Sequence, residues 1–88
     1  MEISINKTFL KELARIPTIQ REKIEQFVFT DAAGYENIKD IPNCLKLKGY
    51  NNFYRIRFGN YRAGLRMENK TLIFERILHR KDIYKFYP

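Results

Sequence analysis

The chain is 88 residues long with one cysteine, one histidine and a formal net charge of +7, which fits a single domain around one core and excludes an internal disulfide. Residues 1–45 carry 6 Lys+Arg against 7 Asp+Glu and residues 46–88 carry 11 against 3; a split of −1 and +8 points to nucleic acid, an acidic protein or an anionic surface as partner. No apolar run of transmembrane length, signal peptide or lysine-faced amphipathic helix stands out, so the expectation is a soluble cytoplasmic protein with no membrane partner.

In chain order, residues 2–6 (EISIN) alternate as a short strand, and Asn6 is a candidate N-cap for a helix from Lys7 with an apolar stripe of Phe9, Leu10, Leu13 and Ala14. Pro17 stops that helix. Thr18 is expected to cap a second one running to about Ala33, buried through Ile24, Phe27 and Val28 and ended by Gly34. Residues 35–44 hold no sustained period and read as a loop. From Leu45 the period becomes two, giving strands at 45–48, 53–58, 61–67 and 71–78, with a last helical turn or two in RKDIYKFYP. The expected fold class is α+β: two N-terminal helices packed on one face of a twisted, mainly antiparallel sheet, closed by a short C-terminal helix.

Within YRIRFGNYRAGLR, Gly59-Asn60 suits a two-residue hairpin turn. Pairing Phe58 with Tyr61 puts Arg57 opposite Arg62 and Arg55 opposite Gly64, with Arg66 beyond, while Tyr54, Ile56, Phe58, Tyr61, Ala63 and Leu65 share the other face. Like charges facing one another across a ladder are destabilising, so something negative is expected over the arginines. If the turn after Met67 contains two residues, Glu75 and His79 join the arginine face and Leu72, Phe74 and Leu78 join the core. A three-residue turn reverses this.

One histidine and one cysteine cannot supply a zinc site of usual composition, no calcium-loop spacing occurs, and no P-loop or dinucleotide fingerprint is present; no metal or cofactor is expected. Ser4 in the first strand and Cys44 in a loop lack a positioned base for acyl chemistry. What remains is cation interleaved with aromatic: Lys48, Arg55, Arg57, Arg62 and Arg66 are fitted to phosphate, since guanidinium groups dock phosphate oxygens in pairs and stay charged. Glu75 reads as a structural partner to one of them. His79 alone has an unperturbed pKa near neutrality, so it is either a packed strand-end residue or a reserve acid/base. Tyr84 and Tyr87 can stack on a base, donate a proton or plug the core. Arg80 and Tyr84, four apart, would share one helix face.

At LKLKG, YRIRFGNYRAGLR and ILHRKDIYKFYP the sequence resembles the RelE/ParE superfamily of type II toxins across nearly the whole chain. The RelE branch implies a metal-independent endoribonuclease cutting mRNA on the ribosome; the ParE branch implies a non-catalytic inhibitor of DNA gyrase. The RelE pattern implies catalytic roles for Arg57, Arg62 (the transition-state arginine), Arg80 and Tyr84, with His79 in reserve, and RNA binding by Lys48, Arg55, Arg66 and Lys81. The Arg80 to Tyr84 interval is shorter than in the best-studied RelE branch, and Arg55 and Arg57 stand where that branch has lysines. An arginine does not readily give up a proton, so neither is suited to be the general base. The implied partners are mRNA, the ribosome and a cognate acidic, partly disordered antitoxin. Plain nucleic-acid binding is the third reading, and it lacks a recognisable reading helix.

Overall fold

In the computed structural model, which describes residues 1–88, a five-stranded sheet carries two helices on one face and the C-terminal segment on the other. β1 (Glu2–Ile5) leads into α1 (Lys7–Leu13). Asn6 caps α1 by backbone only: its carbonyl accepts the Leu10 amide at 3.1 Å and its side chain makes no capping bond. Phe9, Leu13 and Ile16 are buried, whereas Leu10 and Ala14 of the expected stripe face solvent. The cap of α2 (Thr18–Gln26) falls on Pro17 rather than Thr18, because the Pro17 carbonyl already accepts the Arg21 amide at 2.9 Å.

The helical backbone continues to Gly34, but its pitch changes, with a π turn at Phe27–Asp31 and a 3₁₀ turn at Ala32–Gly34. Ile24, Val28 and Ala32 are the buried positions, spaced by four. At 3.6 residues per turn such a row drifts around the helix, and the wider turn reverses the drift, keeping all three on the sheet. The loop that follows is anchored by buried Ile41.

β2 (Cys44–Lys46), β3 (Phe53–Phe58), β4 (Tyr61–Glu68) and β5 (Thr71–His79) form an antiparallel meander, and β1 adds to β5 in parallel, giving the order β1-β5-β4-β3-β2. Burial pushes the Cys44 thiol up to about 11 against the opposing field of Arg55, so at neutral pH it stays protonated and un-nucleophilic. The β3–β4 register is the expected one, Phe58 to Tyr61, Arg57 to Arg62 and Arg55 to Gly64, around a turn whose first residue, Gly59, has φ +58°.

The β4–β5 turn holds two residues, Asn69 and Lys70, so Leu72 and Phe74 enter the core as that register requires. A β-bulge then changes the phase: Leu65 pairs with Phe74 and Gly64 with Arg76, leaving Glu75 as the extra residue. Beyond it, Ile77 takes the core position expected for Leu78, Leu78 lies opposite Arg62, and His79 lies opposite Tyr61, off the arginine face. Glu75 stays on that face, bonded to Arg66.

β1 hands over to α1 at Asn6, whose amide bonds the Phe74 carbonyl, so the edge of β5 beyond that point has no strand beside it. Glu12 of α1 takes the strand's place. Its carboxylate accepts the Ile77 amide at 3.1 Å and pairs with Arg76 through bonds of 2.7–3.1 Å to both oxygens. Glu12→Ala leaves that amide and a half-buried guanidinium unmatched, and is expected to lower unfolding free energy by about 2–3 kcal/mol in urea titration. A variant as stable as the parent would show that water serves this edge equally well.

Candidate active site

The hairpin β3–β4 sets Arg57 and Arg62 directly opposite one another. The repulsion is relieved by turning both guanidiniums onto neutral acceptors. Arg57 Nη2 donates to Asn43 Oδ1 at 3.0 Å and its backbone amide to the Asn43 carbonyl at 3.1 Å. Asn43 does this from the left-handed region, at φ 60°, a conformation asparagine tolerates better than most residues. Arg62 Nη1 donates to the carbonyls of Gly59 at 2.7 Å and Tyr61 at 3.0 Å.

The C-terminal segment arrives beside this pair because the Arg80 amide donates to the Asn60 carbonyl, in the hairpin turn, at 2.8 Å. A short helix, α3 (Ile83–Phe86), then crosses the arginine face with Ile83 buried and Tyr84 60% exposed. The Arg62 guanidinium is held below the usual arginine value, first by partial burial and then by the positive fields of Arg55, Arg57 and Arg80, with Tyr84 acting in the opposite sense. Those residues therefore lie within electrostatic reach of Arg62. Arg55, Arg57, Arg62, Arg80, Lys48 and Lys81 take no part in the ion pairs of the fold, which engage Arg21, Arg66, Arg76 and Lys85. Guanidiniums left unpaired within the fold, with an exposed phenol near Arg62, can receive an anion.

Other expected residues are distributed differently. Arg66 is matched by Glu68 and, at 3.4 Å, by Glu75, so its charge is already answered within the fold. Lys48 lies in the β2–β3 loop, beyond Phe53; the separation from Arg57 along β3 exceeds about 13 Å at 3.3 Å per residue. Lys81 is exposed just before α3. His79 packs edge-on to Tyr61 at 5.7 Å and its Nδ1 accepts the Lys81 amide at 3.2 Å, turned away from the cluster. Nowhere do three His, Cys, Asp or Glu side chains converge as metal ligands would.

The sequence reading missed Asn43, which aims Arg57, and the seat of Tyr87. The Tyr87 ring lies over Gly64, and a Cβ at position 64 would stand 2.5 Å from it. The Tyr87 hydroxyl donates to Glu75 Oε1 at 2.7 Å. An isolated glycine inside a strand pattern is the signal that could have found this seat, since it marks a bulge or a close approach.

The family model described as "ParE toxin of type II toxin-antitoxin system, parDE" matches residues 3–84. Toxin RelE3 of Methanocaldococcus jannaschii is 39% identical over 89 residues, covering 100% of both chains. The chain belongs to the RelE/ParE family of type II toxins. The toxin superimposes on the RelB–RelE antitoxin–toxin complex from Methanococcus jannaschii with a TM-score of 0.81 at 38% identity, covering 97% of this chain and 99% of that one. Against the archaeal RelE–RelB complex from Pyrococcus horikoshii OT3 the TM-score is 0.70 at 24% identity, over 90% and 93% of the two chains, a likeness of fold. No helix of the toxin is long and apolar enough to cross a membrane.

Proposed function

We propose that the toxin is a metal-independent endoribonuclease that cuts mRNA on the ribosome and so stops translation. The observation that carries this reading is the pairing of Arg57 opposite Arg62, with Arg80 tied to the hairpin turn and Arg55 and the exposed Tyr84 within electrostatic reach of Arg62, none of the arginines paired with a carboxylate. In RNA the 2′-hydroxyl is a nucleophile beside every phosphodiester. Its oxygen attacks the adjacent phosphorus and gives up its proton to solvent water, the P–O bond to the next nucleotide's 5′-oxygen breaks, that oxygen takes up a proton, and a 2′,3′-cyclic phosphate and a 5′-hydroxyl result. Negative charge gathers on the phosphoryl oxygens along the way; Arg57 and Arg62 meet it already oriented by their hydrogen bonds, and Arg80 joins them from the exposed C-terminal segment. Tyr84 stacks on a neighbouring base or hands a proton to the leaving oxygen. Arg55 and Lys81 hold flanking phosphates, and Lys48 extends the track; Arg66 and His79 serve the fold.

The matching family model bears the ParE description, which makes inhibition of DNA gyrase the competing reading. Translation in vitro with cleavage-site mapping separates them: message cut on ribosomes supports the nuclease, and intact message with failed supercoiling supports the gyrase inhibitor. By analogy with the RelB–RelE complexes, an acidic antitoxin is the proposed partner.

Substitutions at Tyr84 divide its two roles. Tyr84→Phe retains the ring for stacking, worth roughly 1–3 kcal/mol per base, and is expected to keep most activity if stacking dominates; Tyr84→Ala loses both roles and is expected to fall by about 10- to 100-fold. Single-turnover cleavage rates of the two variants and the parent give the answer, and three equal rates would leave Tyr84 with neither role.

A further inference from the structure

We infer that Tyr87 is a positioning residue for Tyr84: seated over Gly64 and tied to Glu75, its ring anchors α3 across the arginine face and fixes where Tyr84 stands beside Arg62. The inference rests on the ribonuclease reading and extends it to side chains that touch no substrate.

α3 is four residues long, far too short to persist by its own hydrogen bonds. Its place is set by what holds it at each end. Ile83 and Tyr87 are four apart, 1% and 8% exposed, and the Tyr87 amide donates to the Ile83 carbonyl at 2.8 Å. One side of the turn is thus fastened to the sheet, and Tyr84 projects from another. Neither anchor belongs to the main core between sheet and helices; they form a separate small contact on the opposite face.

The Tyr87 seat is built by residues from three strands. β4 supplies the floor, Gly64, where any side chain would collide with the ring. β5 supplies the hydrogen-bond acceptor, since the bulge opposite Gly64 leaves Glu75 on this face, 2.7 Å from the hydroxyl. β3 supplies the wall, with Phe53 edge-on to the ring at 5.8 Å, and Tyr50 of the preceding loop packs behind Phe53 at 5.6 Å. Arg66 balances the Glu75 carboxylate, and burial, followed by the contact with Glu75, holds the Tyr87 hydroxyl in its protonated, donating form. A hydrogen bond to a carboxylate is directional, so the seat fixes the rotation of the segment as well as its contact. Tyr84, three residues earlier, inherits that rotation.

The test uses the whole toxin on programmed ribosomes, measuring kcat and KM for Tyr87→Ala, Tyr87→Phe, Gly64→Ala, Tyr84→Ala and the Tyr84→Ala, Tyr87→Ala double variant, with amide hydrogen exchange on each. Tyr87→Ala and Gly64→Ala are expected to release residues 83–87 to exchange while the core strands stay protected. Their kcat should fall about as far as that of Tyr84→Ala, by about 10- to 100-fold for a misplaced catalytic group, and their KM should rise no further than that of Tyr84→Ala. The double variant should be no slower than Tyr84→Ala alone, the mark of two residues acting through one, and Tyr87→Phe should fall between parent and Tyr87→Ala. Released tails with unchanged kcat, or losses that multiply in the double variant, overturn the positioning role. Tyr84→Ala cutting as fast as the parent overturns it by another route, removing the residue to be positioned, and a parent that cuts no message removes the ribonuclease reading itself.

Discussion

Arg62→Ala is expected to cut ribosome-bound message on the order of 100- to 1,000-fold more slowly than the parent, the usual cost of deleting a preorganised donor from a transition-state site, and to leave growth unimpaired when induced. The loss should be purely functional. Arg62 faces outward from β4, its only hydrogen bonds run to two carbonyls at the hairpin tip, and no core contact depends on it. Removing it also relieves the opposed pair with Arg57, so unfolding free energy should stay within about 0.5 kcal/mol of the parent. Growth assays, single-turnover cleavage and a urea titration together make the case. A variant as toxic as the parent would remove Arg62 from the chemistry; a variant that is inactive because it has unfolded would say nothing of arginine.

The second large effect concerns the antitoxin. A half-chain of +8, with Arg55, Arg57, Arg62 and Arg80 unanswered inside the fold, should steer an acidic partner strongly. Raising ionic strength from about 0.01 M to 0.15 M shortens the Debye length from about 30 to 8 Å and is expected to slow association by 10-fold or more. The Arg57→Ala, Arg62→Ala double variant should associate more slowly at low salt and respond less to added salt. Stopped-flow association at the two ionic strengths measures both. A rate that ignores salt and is unchanged in the double variant excludes direct neutralisation of the arginines and leaves displacement of the segment bearing Tyr84 as the mode of inhibition.

The hairpin was the most legible part of the chain. Six apolar residues alternate with arginines around Gly59-Asn60, and only one register buries the first set, so the Arg57–Arg62 opposition could be read directly. The phase of β5 beyond Glu75 could not. The bulge falls at Glu75-Arg76, where no glycine or proline marks it on β5, and Ile77 and Leu78 are equally able to fill a core position. Placing His79 on the arginine face followed from continuing the alternation through that irregularity. The placement of the arginines was legible where it rests on strand alternation, as at Arg55, Arg57 and Arg62, came from the family resemblance at Arg80, and was opaque where it rests on contacts between distant segments, as at Gly64 with Tyr87 and Asn43 with Arg57. The partner of β1 is of the same kind, since nothing local in EISIN specifies pairing with a strand near the other end of the chain.

That pairing has a consequence for how the toxin comes into being. Ile3 lies beside Leu72 and Ile5 beside Phe74, so the first strand has no neighbour until almost the whole chain has been synthesised, and contacts of such long range form slowly. The segment that completes the arginine face, from Arg80 through Tyr87, emerges later still. A nascent or truncated chain stopping before it can pair β1 with β5 but has no Tyr84 to place beside the arginines. Until residues 80–87 have been joined, the basic hairpin stands with no α3 across it.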